Sequence, residues 1–357
     1  MSTDDTRHDR NLDSHGPPRP GGESVKEQAR CGLRLALGLG AAVLAGYGFG
    51  WPLGFLTPIY AAFFLVLPVW IGWNNCFGLL VLMAASLLVG LVISEYFLIL
   101  PLACLLVYGL LFFAIYYLVT PAAPPMAAMF MTIGITILPL MGLSQAIVAH
   151  FLAAAMLGNL AAGLGVAWFF HRLLPGSPLA SGTAPPGGPA GGADQGQRIR
   201  IALASTLVAL TALALFFSRN LAGQSYAMLQ ICFLAGNTSP TAPLTTMKKN
   251  LLGCLLGGLA ILVVHPLLLV WPNLAFLIVL VVATSLLFAQ TIYGGTSMGE
   301  YGFLGLVTFL VLLGTSTLPG GAALDKLSIR VAQIVFAGLY AVAGLYLAGR
   351  LLGVDKR

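Results

Sequence analysis

Acid–base, nucleophilic and metal chemistry all need carboxylates, imidazoles or thiols brought together, and this chain spaces such residues far apart. Its 357 residues hold 11 Asp and Glu, 5 His and 5 Cys. Between Leu35 and His171 the one formally charged residue is Glu95, in Ile93-Ser-Glu-Tyr-Phe97. No HExxH, GxSxG or Walker A glycine-lysine loop occurs, which argues against a metalloprotease, a serine hydrolase and an ATP-driven pump. Cys31, Cys76, Cys104, Cys232 and Cys254 show neither CxxC nor metal-ligand spacing, so no disulfide framework, metal or cofactor is expected. The expectation is a protein that is not an enzyme.

What remains is a thin set of polar residues set among apolar runs. Glu300 closes the glycine-rich stretch Tyr293-Gly-Gly-Thr-Ser-Met-Gly-Glu300. A carboxylate at such a break can take up a proton or a cation if it lies at membrane depth; as a solvated loop residue it does neither. Glu95, expected in an external loop, and His150 and His265 are the other coupling candidates, each with an ordinary interfacial role as the alternative. His150 and Asn159 lie nine residues apart in one helical run, which puts them on nearly opposite faces and argues against a shared site.

Candidate substrate-path residues cluster at the ends of apolar runs. Gln290, Thr291 and Tyr293 end one run; Asn237, Thr238 and Ser239 end another and are followed by Pro240 and Pro243. A proline-broken polar helix end exposes backbone dipoles that can line a substrate or ion path, and it can equally be a plain helix stop. The stretch from Pro68 to Asn74 and Asn75 is a less polar counterpart in the first half.

The elements that must position these residues follow from composition. Hydrophobic residues make up 59% of the chain, charged residues 8%, and the mean hydropathy is +0.94. One soluble core cannot hide that much apolar surface, whereas a bilayer accepts it in spans of ~20 apolar residues. The fold class expected is an all-α membrane protein of about twelve transmembrane helices. The net charge of +6 reads as membrane topology rather than nucleic-acid binding.

Four regions are expected: a disordered cytoplasmic tail over 1–29, a membrane repeat over 30–174, a Pro/Gly-rich cytoplasmic linker over 175–197, and a second membrane repeat over 198–357. Spans fall near 33–50, 53–72, 76–94, 97–119, 125–143 and 146–171, then near 199–217, 222–240, 250–270, 273–292, 301–317 and 327–350. The halves share short matches in order: Arg34-Leu-Ala-Leu with Arg200-Ile-Ala-Leu, Thr136-Ile-Leu-Pro with Thr317-Leu-Pro, and Arg172-Leu-Leu with Arg350-Leu-Leu. An even number of spans per unit implies parallel repeats about an axis along the membrane normal.

With a cytoplasmic N-terminus, all lysines and arginines except Arg219, Lys326 and Arg330 fall on the cytoplasmic side, the positive-inside signature. Arg34, Arg200, Lys248 and Lys249 are read as topology markers. Gly253 and Gly257 form a GxxxG and Ala154, Gly158 and Ala162 a small-residue stripe, both signals of close helix packing.

The opening Arg34-Leu-Ala-Leu-Gly, the stretch Gly50-Trp-Pro-Leu-Gly-Phe-Leu-Thr-Pro58, and the run from Pro240 to Gly257 with its basic pair resemble the fusaric acid resistance family, bacterial inner-membrane efflux components related to aromatic acid exporters. The resemblance extends over residues 30–352 and is closest to a compact, uncharacterised branch. It implies proton-driven export of a small-molecule substrate and a periplasmic membrane-fusion adaptor as partner. The larger exporters carry a sizeable cytoplasmic region where this chain has its short linker. The rival expectation is a non-transporting membrane scaffold. The lipid bilayer is the first partner in either case, no nucleic acid is expected, and assembly as a homo-oligomer stays open.

Overall fold

The computed structural model describes residues 21–97, 100–119, 125–142, 146–176, 195–219, 221–236, 242–294, 298–316 and 323–352. Among them it is all-helical. We label the helices α1 (Gly21–Gly48), α2 (Leu56–Leu65), α3 (Trp73–Val92), α4 (Pro101–Ala114), α5 (Pro125–Gly142), α6 (Ala146–Leu173), α7 (Gln195–Ser218), α8 (Ser225–Ala235), α9 (Ala242–Val270), α10 (Leu274–Tyr293), α11 (Gly299–Ser316) and α12 (Ala323–Leu352). Each apolar run of the sequence carries one helix. The helix α1 begins at Gly21, inside the stretch expected to be a tail, because Glu23 to Arg30 lacks Gly and Pro and so lets the helix extend outward.

Among the described residues, eight helices are long and apolar enough to cross a bilayer: α1, α3, α6, α7, α9, α10, α11 and α12. The shortest are α2 and α8. At 10 and 11 residues, α2 and α8 reach about 15 Å, half of a ~30 Å hydrocarbon layer. Pro68 explains the stop of α2, since the residues leading into a proline disfavour the helical region. Turns of π-helix extend α3 over Ile93–Phe97 and α4 over Ile115–Val119. Glu95 therefore sits on a helical continuation rather than in a loop.

Helix directions follow from which residues meet. In α1, Gly32 lies against Ala289, Gly40 against Val282 and Ile278, and Gly48 faces Leu274, so α1 and α10 run antiparallel. Tyr108 meets Phe217 and Arg198 stacks over Tyr117, so α4 and α7 do the same. Ser86 bonds to the Phe130 carbonyl and Gly90 abuts Gly134 and Leu138, making α3 and α5 parallel. Gly253 abuts Leu304 and Gly257 abuts Gly305 and Phe309, making α9 and α11 parallel too. In both crossings two glycines meet backbone to backbone, an approach any Cβ would block.

The resulting bundle sorts its charge. Arg34, Arg172, Arg198, Arg200, Lys248, Lys249 and Arg350 gather at one end, hereafter the basic end, while Arg219, Lys326 and Arg330 lie toward the other. Two buried apolar cores hold the helices together. One joins α1, α2, α3, α5 and α6 to α9, α10 and α11; the other joins α7, α8 and α12 to α4 and another face of α5. Each core thus draws helices from both halves of the chain. Large hydrophobic side chains of the kind of Leu102, Leu110, Leu259 and Val270 face outward along the described helices, as lipid contact requires.

Candidate functional site

The most polar feature in the first half is the broken end of α2. Past Leu65 the chain leaves the helix, so its last carbonyls lack helical partners and carry the negative end of the helix dipole. Side chains from three other helices take them up. The Arg34 guanidinium, fully buried on α1, donates to the carbonyls of Leu65 (3.4 Å), Leu67 and Pro68 (3.2 Å), and reaches Leu174 past the end of α6 (3.5 Å). Tyr293 on α10 donates its hydroxyl to Val66 (3.1 Å). The His171 Nε2 lies 3.2 Å from the Leu67 oxygen, with Nδ1 2.8 Å from the Ala167 oxygen one turn back on α6. Trp70, Trp73 and Trp168 pack around His171 in a chain of ring contacts. Gly176 closes over the top, where a Cβ would strike Pro68 and Arg34.

The opposite end of α2 starts inside the bundle. Thr57, buried, donates to Asn159 Oδ1 on α6 (2.5 Å), and the Asn159 amide bonds back to Pro52 (3.0 Å) and to Ala155 (2.6 Å). The preceding loop holds Gly50 at φ 62° and Leu53 at φ 53°. The left-handed region disfavours a bulky side chain, so Leu53 stores strain. A cavity of about 530 Å³ opens here, lined by Tyr47, Trp51, Leu53, Phe55 and, from the second half, Asn273 and Leu277.

The second short helix, α8, is arranged alike. Gln224, just before its first turn, accepts from the buried Gln333 on α12 (2.5 Å), and a cavity of about 330 Å³ beside them is lined by Phe216, Leu221, Ile329 and Phe336. Arg330 stacks its guanidinium on the Tyr226 ring, 3.2 Å from the centroid. Gln230 donates to the Tyr226 hydroxyl (2.6 Å) and accepts from Asn250 on α9 (3.0 Å). Tyr226 and Gln230, four residues apart, thus give α8 one polar turn on one side.

The structure sorts the coupling candidates into pairs. The Glu95 carboxylate and the His150 ring lie 3.1 Å apart, between the π-turn of α3 and the first turns of α6, at the end away from the basic residues. Glu300 is exposed and pairs with Lys249, joining the starts of α11 and α9. His265 is half-buried on α9 and belongs to neither pair. No group of three or more His, Cys, Asp or Glu able to hold a metal occurs among the described residues.

Of the path candidates, Tyr293 and Asn159 enter the two ends of α2. Thr291 bonds to its own helix at Phe288 and Asn75 to Ile71, both exposed, while Asn74 and Gln290 face outward. Asn237, Thr238 and Ser239 lie outside the described residues. Arg200, matched to Arg34 by sequence, is exposed. Gly253 and Gly257 make the close crossing their spacing implies, but Gly158 does not: a Cβ there would meet nothing within 4 Å. The close approach on α6 falls at Gly163, against Thr57, Tyr60 and Ala61. The small-residue stripe turns away from that contact, its Ala154 being exposed.

Sequence reasoning missed Arg34 as a buried group, His171, Gln224, Tyr226, Gln230, Asn250 and Gln333. One available signal was the shared Arg-x-Ala-Leu motif ahead of two proline-interrupted short runs. A family model described as a protein of unknown function (DUF2955) matches residues 31–169, the stretch from Cys31 in α1 nearly to the end of α6. No curated protein and no solved structure matches the chain.

Proposed function

We propose that this chain is the membrane subunit of a secondary efflux system in the bacterial inner membrane, built as two parallel six-helix repeats with both termini cytoplasmic. The observation that carries this reading is the pair of short helices, α2 and α8, second in each half. Each begins beside a cavity and a polar pair, Thr57 with Asn159, both buried, and Gln224 with the buried Gln333. Interrupted helices at corresponding positions of two halves are the mark of a substrate site in secondary transporters. Polar side chains at such depth are expensive in a membrane and are retained where they serve transport.

Shared pairings support the repeat reading. Contacts of α1 with α2 and α6 recur between α7 and α8 and α12; α2–α6 recurs as α8–α12, and α3–α5 as α9–α11. Contacts between the halves recur as well, α1–α10 with α4–α7 and α2–α11 with α5–α8. The directions agree: α1, α3, α5 and α7 all run one way. The charge-sorted bundle supports cytoplasmic placement of the basic end.

Small, aromatic or weakly acidic cargo, proton coupling and a periplasmic adaptor come from the resemblance to aromatic acid exporters. A growth panel of drugs and aromatic acids on a deletion strain, with and without any neighbouring adaptor gene, tests the reading. Export predicts a sensitive deletion strain and resistance restored by the full chain. Equal growth on every compound, with the protein abundant in the membrane, favours a scaffold.

A further inference from the structure

Both cavities lie at the starts of the short helices, away from the basic end, while the basic end of the first half is filled. There the four successive carbonyls from Leu65 to Pro68 are each taken by a side chain from another helix: Arg34 of α1, His171 of α6 or Tyr293 of α10. The tryptophan–histidine cluster packs outside them. We propose that the Arg34 guanidinium is the latch of a gate between α2, α6 and α10, and that this structure is the form closed at the basic end and open at the other. The proposal rests on the transporter reading and adds the gating residue and the state.

Three features distinguish a latch from a static cap. The bonds run from one side chain to bare backbone carbonyls, so release of Arg34 strands no buried carboxylate; a buried salt bridge would. The cap is also incomplete, because the buried Arg34 Nε makes no hydrogen bond among the described residues, which lowers the cost of letting go. Third, the same motif serves the two halves differently. Arg34 is fully buried, while Arg200 at the matching position is exposed. A motif held in one half and released in the other is what a device with two settings looks like. Opening needs α2 to swing on the loop from Gly50 to Gly54, where Gly50 takes its left-handed turn freely and Leu53 is held in a strained one.

The test uses the full-length chain, its five cysteines replaced, in membrane vesicles of both orientations. A single cysteine is placed at Ala61, buried midway along α2, or at Trp51 on the rim of the larger cavity. An impermeant maleimide is added from one side at a time. With Arg34 present, position 61 should resist reagent from the basic side. In Arg34→Ala its labelling from that side should rise by at least about tenfold, a change that losing one charge-assisted bond can produce, while position 51 labels from the other side as before. A second variant, Leu67→Cys with His171→Cys, should suppress the new labelling when oxidised to a disulfide. A merely structural arginine would change labelling from both sides together, and that result, or no change at position 61 while position 51 labels normally, overturns the gate. Access and flux are read separately: a gate that opens in a chain exporting nothing refutes transport alone.

Discussion

Glu300 follows a glycine-rich stretch that leaves two settings open, a carboxylate at membrane depth able to carry protons or a solvated loop residue, and its side chain is 61% exposed and sits against Lys249. An exposed ion pair contributes ~1 kcal/mol or less. Glu300→Gln should therefore leave export intact and shift thermal unfolding in detergent only slightly. Lost export at normal abundance would return Glu300 to the coupling role. The better-placed titratable groups are Glu95 and His150, brought together at the far end of the bundle. Their union was hidden because 55 positions of apolar sequence separate them, and no local pattern says that a π-turn will carry Glu95 past the end of α3 to meet α6. Arg34 was visible only as a charge. Its neighbours are backbone carbonyls, and sequence does not display which carbonyls a broken helix leaves bare.

At the scale of elements, the sequence was informative where length and apolarity decide the outcome. Each of the expected apolar runs is a helix, because hydrocarbon tolerates little else. It was poor on depth for α2, which looks like a full span by hydropathy and is cut to 10 residues by the turn chemistry around Gly50–Gly54 and Pro68; for α8 the polar, proline-broken end of its run already marked a weak span. Packing faces were half legible. Gly257 and Gly158 carry similar small-residue spacing, yet one abuts Gly305 and Phe309 and the other meets nothing. The same substitution should separate them. Gly257→Ala forces two backbones apart and should cost about 1–3 kcal/mol. Gly158→Ala fills open space within a helix and should gain about 0.5–1 kcal/mol. Thermal unfolding of the purified protein decides; equal shifts for both would contradict the crossing described for α9 and α11.

On the scale of the whole molecule, the two apolar cores interlock the halves, each uniting the first, second and sixth helices of one half with the fourth and fifth of the other. Neither half buries its own surface alone, so the two pack as one interleaved body, with the short α2 and α8 among its most buried helices. The ordered Arg-x-Ala-Leu and Arg-Leu-Leu matches are the sequence's signal for two halves, but the interleaving depends on which helices face which, and apolar helices advertise no partner. The account's central claim is transport, and uptake into energised inside-out membrane vesicles tests it most directly. Vesicles carrying the full chain, with its neighbouring adaptor where one exists, should accumulate labelled aromatic acids from a panel above the level of control vesicles, and a protonophore should abolish the difference. Equal accumulation across the panel, in vesicles where the chain is present and folded, would contradict the account.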